Sequence, residues 1–378
     1  MNTTTRAVAA AIALLGAGLA QAQSSVTVYG VIDQYLNYMH SSSGATIKSL
    51  EDGALTRSRF GVRGQEDLGG GYVAKFNLEG GFSTDTGTTA DTGRFWDRQA
   101  WVGMSTPVGE FRVGRQNGPI FAGGRYVDYT YRDLGSIVNN FGAPSRYDND
   151  ISYLSPRMGG FQVDLHVALP ETAVGNRPLI IQGSLDYQID GSHVGYMGLH
   201  ARPPANAAID KEVVYDQVYG MWNYGKGNVY LTFVRTNNNT ASAGLNNAGS
   251  IISNVGGTSN GGTGSFNAGN NPDLNDFYNI YQVSADYQAM SQLRIGALWG
   301  RIQDKSGRDR GASGGSVGAY YDLSKRTTLL ALVETMRNDA NGGFRHGGSA
   351  ALKTNFTNPN DVNGRTINGI QFGVVHRF

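Results

Sequence analysis

Thr56-Arg57-Ser58-Arg59-Phe60-Gly61-Val62-Arg63-Gly64-Gln65, followed by Tyr72-Val73-Ala74-Lys75-Phe76-Asn77-Leu78-Glu79-Gly80-Gly81-Phe82, is the stretch whose reading decides the fold. In its first half Arg57, Arg59, Gly61, Arg63 and Gln65 alternate with Ser58, Phe60, Val62 and Gly64. In the return half Tyr72, Ala74, Phe76, Leu78 and Phe82 share one face, and Lys75, Asn77 and Glu79 the other. A period of two with opposite polarity on the faces predicts a pair of strands, turning at Glu66-Asp67-Leu68-Gly69-Gly70. Alternation does not say which face meets water. A soluble sandwich packs the apolar face inward, whereas a membrane barrel turns it out to lipid.

The same pattern continues along the chain. Phe161, Val163, Leu165 and Val167 oppose Gln162, Asp164 and His166; Ile181, Leu185, Tyr187 and Ile189 oppose Gln182, Ser184, Asp186 and Gln188. Leu293, Ile295, Ala297 and Trp299 share a face, as do Ile370, Phe372, Val374 and Phe378. The pattern predicts sixteen strands, near 25–39, 54–65, 71–84, 94–105, 109–116, 147–155, 159–169, 178–190, 192–201, 213–224, 227–236, 276–288, 292–303, 312–322, 326–336 and 365–378. An even number suits a closed antiparallel barrel. Short connections, such as Thr106 to Val108, Gly191 and Leu323 to Lys325, alternate with long ones at 40–53, 117–146, 237–275 and 337–364. Outer-membrane barrels put short turns on the periplasmic side and long loops outside. Asn237 to Asn271, almost all Asn, Gly, Ser, Thr and Ala, reads as an external loop, with an interdomain linker as the other reading.

Composition narrows the class. Arg6, the apolar run Ala7 to Leu19 and Ala20-Gln21-Ala22 form a secretory signal with cleavage expected after Ala22. The run is shorter than the ~20 residues of a membrane-spanning helix. Residues 23–378 then form one barrel domain. Without Arg6, 30 basic residues stand against 30 acidic ones, which argues against a nucleic-acid partner. Cysteine is absent, which removes disulfides and thiolate chemistry. Mean hydropathy is −0.32 although 40% of residues are hydrophobic; apolar residues that alternate instead of clustering give this combination.

Catalytic and metal motifs do not hold up. Gly311-Ala312-Ser313-Gly314-Gly315 and Gly314-Gly315-Ser316-Val317-Gly318 match the G-x-S-x-G of hydrolases, but that motif needs a following helix. Here Ala319, Tyr320 and Tyr321 continue a strand. Six histidines lie far apart, and none forms the i, i+4 pair of a helical zinc site. No enzyme, metal or cofactor is expected.

The basic residues orient the sheet instead. Arg57, Arg59 and Arg63 with Lys75 stay hydrated on a water-filled lumen, whereas on the lipid face each costs about 2 to 4 kcal/mol near the midplane. Gln116 to Arg146, which holds Arg125, Asp128, Arg132 and Asp133, is the candidate for a loop that folds into the barrel and narrows it; an ordinary surface loop is the other reading. The C-terminal Gly373-Val374-Val375-His376-Arg377-Phe378 is an amphipathic strand with an aromatic last residue.

Several blocks resemble the general trimeric porins of Gram-negative β-proteobacteria: Ser25-Val26-Thr27-Val28-Tyr29-Gly30-Val31-Ile32-Asp33, Ser58-Arg59-Phe60-Gly61-Val62-Arg63-Gly64-Gln65-Glu66-Asp67-Leu68-Gly69-Gly70-Gly71, Arg98-Gln99-Ala100-Trp101-Val102-Gly103, Gly114-Arg115-Gln116, Leu323-Ser324-Lys325-Arg326-Thr327 and His376-Arg377-Phe378. The resemblance implies a sixteen-stranded transmembrane antiparallel β-barrel, a homotrimer in outer-membrane lipid, and a third external loop folded into each pore. It also implies wall arginines, Arg59, Arg98 and Arg146, that face acidic or backbone groups of that loop. Phe378 matches the aromatic end by which the barrel-assembly machinery recognises its clients. Where the family often carries an arginine, this chain has Val375, one pore charge fewer near one mouth. Trp96, Ala100 and Val102 share the parity of Arg98, so a bulge is needed to turn Arg98 inward.

The expected function is passive diffusion of ions and small hydrophilic solutes through a water-filled pore that mildly prefers anions. Three rivals stay open: a substrate-specific channel on the same barrel, an outer-membrane hydrolase, and an adhesin on a plugged barrel.

Overall fold

The computed structural model describes residues 24–143, 145–169, 180–202, 212–238, 277–348 and 354–378. The expected export signal at 1–22, Pro144 and nearly all of Asn237 to Asn271 lie outside the described residues. The strands are β1 (Ser25–Ser41), β2 (Thr46–Asp52), β3 (Arg59–Gly69), β4 (Tyr72–Gly81), β5 (Gln99–Thr106), β6 (Gly109–Asn117), β7 (Arg146–Leu154), β8 (Phe161–Ala168) and β9 (Ile180–Ile189). They continue as β10 (Ser192–Ala201), β11 (Val213–Asn223), β12 (Asn228–Thr236), β13 (Tyr278–Met290), β14 (Leu293–Asp304), β15 (Ala312–Asp322), β16 (Thr327–Asn338) and β17 (Thr366–Arg377).

These segments make a closed barrel of sixteen staves. One stave is split: β1 pairs with β2 along Gln34 to His40 and with β3 along Ser25 to Val31, so β2 and β3 together make the second stave. From β3 onward each strand pairs antiparallel with the next. The ring closes where β17 pairs with β1, from Val31 opposite Arg377 to Ser41 opposite Ile367. Gly30 and Phe378 extend this seam by exchanging two backbone hydrogen bonds of 3.1 Å, and the Phe378 ring lies on Gly30, where any side chain would collide with it.

Polarity shows which side faces lipid. Trp299, Val317, Val333 and Phe372 are exposed, while Asp286, Glu334 and Gln371 on the opposite faces are buried. Buried polar and exposed apolar side chains invert the soluble pattern, as a barrel wall in lipid requires. Tilted aromatic pairs, Phe111 with Tyr153, Phe161 with Tyr187 and Trp222 with Tyr224, sit beside the short turns and mark one interfacial girdle. Placing an arginine at outward Val333 is expected to cost about 2 to 4 kcal/mol of folding into bilayers. Urea-dependent folding into liposomes reads that cost, and an unchanged midpoint would mean that this face does not meet lipid.

Three expectations need correction. The 40–53 connection is not a long loop. Ser41 and Ala45 close a tight turn, and Thr46–Asp52 return as β2 against the outer half of β1. Residues 53–58 then leave the ladder, and buried Asp33 takes over their hydrogen bonding, accepting from the N–H groups of Ala54 (3.1 Å), Leu55 (2.7 Å) and Thr56 (2.8 Å). The strand expected at 94–105 begins only at Gln99, so Arg98 needs no bulge. The turn after β3 falls later than expected: pairing runs to Gly69, and Gly69, Gly70 and Gly71 all hold the positive φ that a side chain would strain.

Candidate functional site

The outer halves of β3 to β7 and the connection before β5 bring a cluster of arginines to one side of the lumen. Two carboxylates organise it. Glu79, near the end of β4, takes Arg98 at 2.7 Å and Arg59 at 3.2 Å. Asp148, on β7, takes Arg115 at 2.7 Å and both terminal nitrogens of Arg94, at 2.7 and 3.2 Å. Each acid therefore serves two guanidinium groups. Arg57 donates to the Ala90 carbonyl (3.2 Å), and Arg146 donates to the neutral Asn117 amide oxygen (2.7 Å) while lying over the Phe121 ring. Asp97 adds a carboxylate, but it accepts from the Gly81 N–H (2.6 Å). Around Glu79 and Asp148 four guanidinium groups meet two carboxylates, while Asp97, Asp52 and Asp91 act on Arg57.

Residues 118–145 carry two helical turns, Pro119–Ala122 and Ile137–Phe141, with a 3-10 turn at Gly123–Tyr126. The segment is tied to inward-facing side chains of staves remote from its own base. Tyr126 stacks on His193 of β10, with ring centres 4.1 Å apart. Thr232 of β12 donates to the Val127 carbonyl (3.0 Å), and Ser284 of β13 accepts from the Tyr129 N–H (3.0 Å). The Tyr129 and Ser316 hydroxyls are 2.9 Å apart, linking the segment to β15. Gln282 of β13 accepts from the N–H groups of Ile137 and Val138, and Leu134 donates to the Ala54 carbonyl (3.1 Å) of the split stave.

Asp128 is the internal knot of this segment. Its fully buried carboxylate accepts from the Thr130 N–H (2.9 Å) and hydroxyl (2.6 Å), the Arg132 N–H (3.1 Å), the Ser136 hydroxyl (2.6 Å) and the Gln282 amide (2.8 Å). Within that net Tyr131 and Arg132 both hold φ of 63°, a left-handed conformation that costs non-glycine residues and persists only where neighbours enforce it.

The residues singled out from sequence therefore separate. Arg57, Arg59, Arg98 and Arg146 gather at the wall. Arg57 stands on the break of the second stave, not on a strand. Arg63 and Lys75 lie elsewhere: Arg63 is four residues further down β3, about 13 Å at strand rise, and Lys75 pairs with Glu110 at 2.6 Å beside the short turns. Asp133 acts electrostatically on Arg59. Asp128 does not face the wall arginines; its hydrogen bonds turn it inward to its own segment and to Gln282. Arg94, Arg115, Glu79 and Asp148 were missed. They matter through cross-strand pairing, and the hints of them were the Gly114-Arg115-Gln116 block and the place of Glu79 on the polar face of its strand.

With this geometry in place, relatives can be compared. A family model described as Gram-negative porin matches residues 7–341. The chain belongs to the Gram-negative porin family. An outer membrane porin protein of Bordetella pertussis is 34% identical over 173 residues, 41% of this chain and 45% of the relative. Outer membrane porin protein 32 of Delftia acidovorans is 34% identical over 175 residues, 43% of this chain and 49% of the relative. The matches span about half the length of these curated relatives. The solved anion-selective porin from Comamonas acidovorans shares the fold, with a TM-score of 0.66 at 22% identity, covering 94% of this chain and 100% of that one. Porins are channels of the Gram-negative outer membrane, not enzymes.

This porin also ties its last long connection inward. Phe344 packs on Phe141 and Tyr278, and buried His346 places Nδ1 3.0 Å from the Glu334 carboxylate and Nε2 3.0 Å from the Ile367 carbonyl. Burial opposes the imidazolium, but Glu334 and the Ile367 carbonyl outweigh it and hold His346 above its ordinary range. A raised histidine contributes stability that is full below its unfolded value of about 6.5 and is lost as pH rises through the folded value. Hydrogen exchange over 342–348, corrected for intrinsic rates, is expected to stay slow through neutral pH and to quicken in alkali. In His346→Gln that pH dependence is expected to vanish, and protection that grows with pH would contradict the ion pair.

Proposed function

We propose that the chain forms a water-filled channel through which ions and small hydrophilic solutes diffuse passively, with a mild preference for anions. In this reading residues 118–145 form the constriction loop, and solutes pass between that loop and the arginine-bearing wall of β3 to β7. The observation that carries the proposal is the sharing of Glu79 and Asp148, each between two arginines, with Arg57 and Arg146 beyond them. An aqueous passage with low-dielectric walls focuses such an excess and enriches anions. The anion-selective Comamonas porin shares the fold, and the sign of the excess here agrees with anion selection.

We further propose removal of residues 1–22 on export, recognition of Phe378 by the barrel-assembly machinery, and assembly in outer-membrane lipid as a homotrimer. A structurally similar outer membrane protein of Vibrio cholerae, with a TM-score of 0.61 at 13% identity, is described in a trimer form. The outward cluster of Phe60, Phe82, Phe95 and Trp96 offers apolar surface for such contacts. Planar-bilayer recording under a potassium chloride gradient tests the central claim. Stepwise conductance with a zero-current potential of anion sign supports it; a cation sign defeats the selectivity, and no conductance defeats the channel.

A further inference from the structure

A second group of inward-facing side chains lies between the arginine wall and the short turns, and neither the constriction nor the fold uses it. Cross-strand pairing sets it out in two rows. Thr27, Arg63, Asn77 and Trp101 stand side by side on β1, β3, β4 and β5, and Ser25, Gln65, Lys75, Gly103 and Arg112 form the next row down. Gly103 leaves a notch between Lys75 and Arg112, because any side chain there would meet the Phe111 carbonyl and the Arg112 stem. All of these but Gly103 line one concave, largely polar cavity.

Its charge is unbalanced. Glu110 binds Lys75 (2.6 Å), Arg112 and the Ser105 hydroxyl (2.5 Å), and so offsets one of the three cations. Arg63 lies over the Tyr29 ring, 5.1 Å from its centre. Asp67, the next inward acid on β3, accepts from the Gly69 N–H (2.9 Å) in its own turn. The cavity is also aromatic. Trp101 faces the lumen only partly buried, its indole N–H donating to Gln99 (3.0 Å) and the Arg112 guanidinium 4.4 Å from its ring centre. An indole in a hydrated passage, ringed by cations, suits a solute that carries both a negative group and a flat apolar body.

We propose that this cavity is a binding station for aromatic carboxylates, with the carboxylate among Arg63, Lys75 and Arg112 and the ring against Trp101. The station rests on the channel reading for its access, but its binding can be read without current. Saturation-transfer NMR of benzoate with the detergent-solubilised protein reports contact directly. In bilayers, benzoate added on the short-turn side is expected to reduce chloride current saturably, while acetate at equal ionic strength is not.

Trp101→Ala is expected to weaken benzoate binding about tenfold, and Trp101→Phe to restore most of it. Arg63→Gln is expected to weaken binding of benzoate and leave the response to neutral benzyl alcohol unchanged. Equal action of acetate and benzoate, or parental benzoate binding in Trp101→Ala, overturns the station. Benzoate contact without any conductance defeats the channel reading and keeps the station; conductance without benzoate contact does the reverse.

Discussion

Replacing Arg59 and Arg94 together with glutamine is expected to cut the anion preference sharply and carry the zero-current potential in the direction of cation selection. These two are the more accessible partners of the shared carboxylates, with side chains 21% and 20% exposed, against 4% for Arg98 and 9% for Arg115. Without them Glu79 keeps one buried arginine and Asp148 another, and each acid becomes balanced. A unit charge about 5 Å from a passing ion contributes about 0.8 kcal/mol even in a water-like dielectric. That is about fourfold in local anion concentration and fourfold the other way for cations, so each lost arginine shifts the permeability ratio by up to about sixteenfold at low salt. Zero-current potentials across a potassium chloride gradient measure this, and the shift should shrink as ionic strength rises. A double variant as anion-preferring as its parent would show that selection happens elsewhere. Glu79→Gln supplies the opposite sign: anion preference should grow, at some cost in stability because Arg59 and Arg98 then repel each other unscreened.

Asp128→Ala is expected to free residues 118–145 from the wall and widen the passage without opening the barrel. The substitution strips a buried carboxylate of all five hydrogen bonds and leaves their donors unmatched, a loss of about 3 to 5 kcal/mol by the measure of broken buried charge networks. It also removes what holds Tyr131 and Arg132 left-handed, so their strain of about 1 to 3 kcal/mol each then favours release. The ladder of strands does not depend on the segment, so the folded barrel should survive on semi-native gels. Single-channel conductance should rise and become noisy, and liposome swelling should admit larger sugars. Parental conductance in Asp128→Ala would mean that the segment does not set the width.

The staves were legible because a wall between lipid and water forces strict alternation, and even the short runs 109–116 and 192–201 appear as β6 and β10. The second stave was half missed for the same reason: Thr46-Ile47-Lys48-Ser49-Leu50-Glu51-Asp52 stands at the outer end of β1, where alternation is diluted by charge on both faces. Arg59, Arg98 and Arg146 were legible as wall residues through their motifs. Their acids were not, because Glu79 meets Arg98 across the connection before β5, and Asp148 meets Arg94 across more than fifty residues of chain. Asp128 was read as a charge for the passage because it lies in the right segment. Only the folded path of that segment shows its carboxylate consumed by Thr130, Arg132, Ser136 and Gln282.

The seam between β1 and β17 has a kinetic consequence. It joins segments nearly a whole chain apart, so its closure is the most entropically expensive step in forming the ring and the natural candidate for the slow one. Once closed, the sheet has no free edge from which strands can peel. Opening must break a full interstrand ladder inside a solvent that offers the freed backbone no partners, so the native state should persist through heat and detergent that would unravel an open sheet of the same composition.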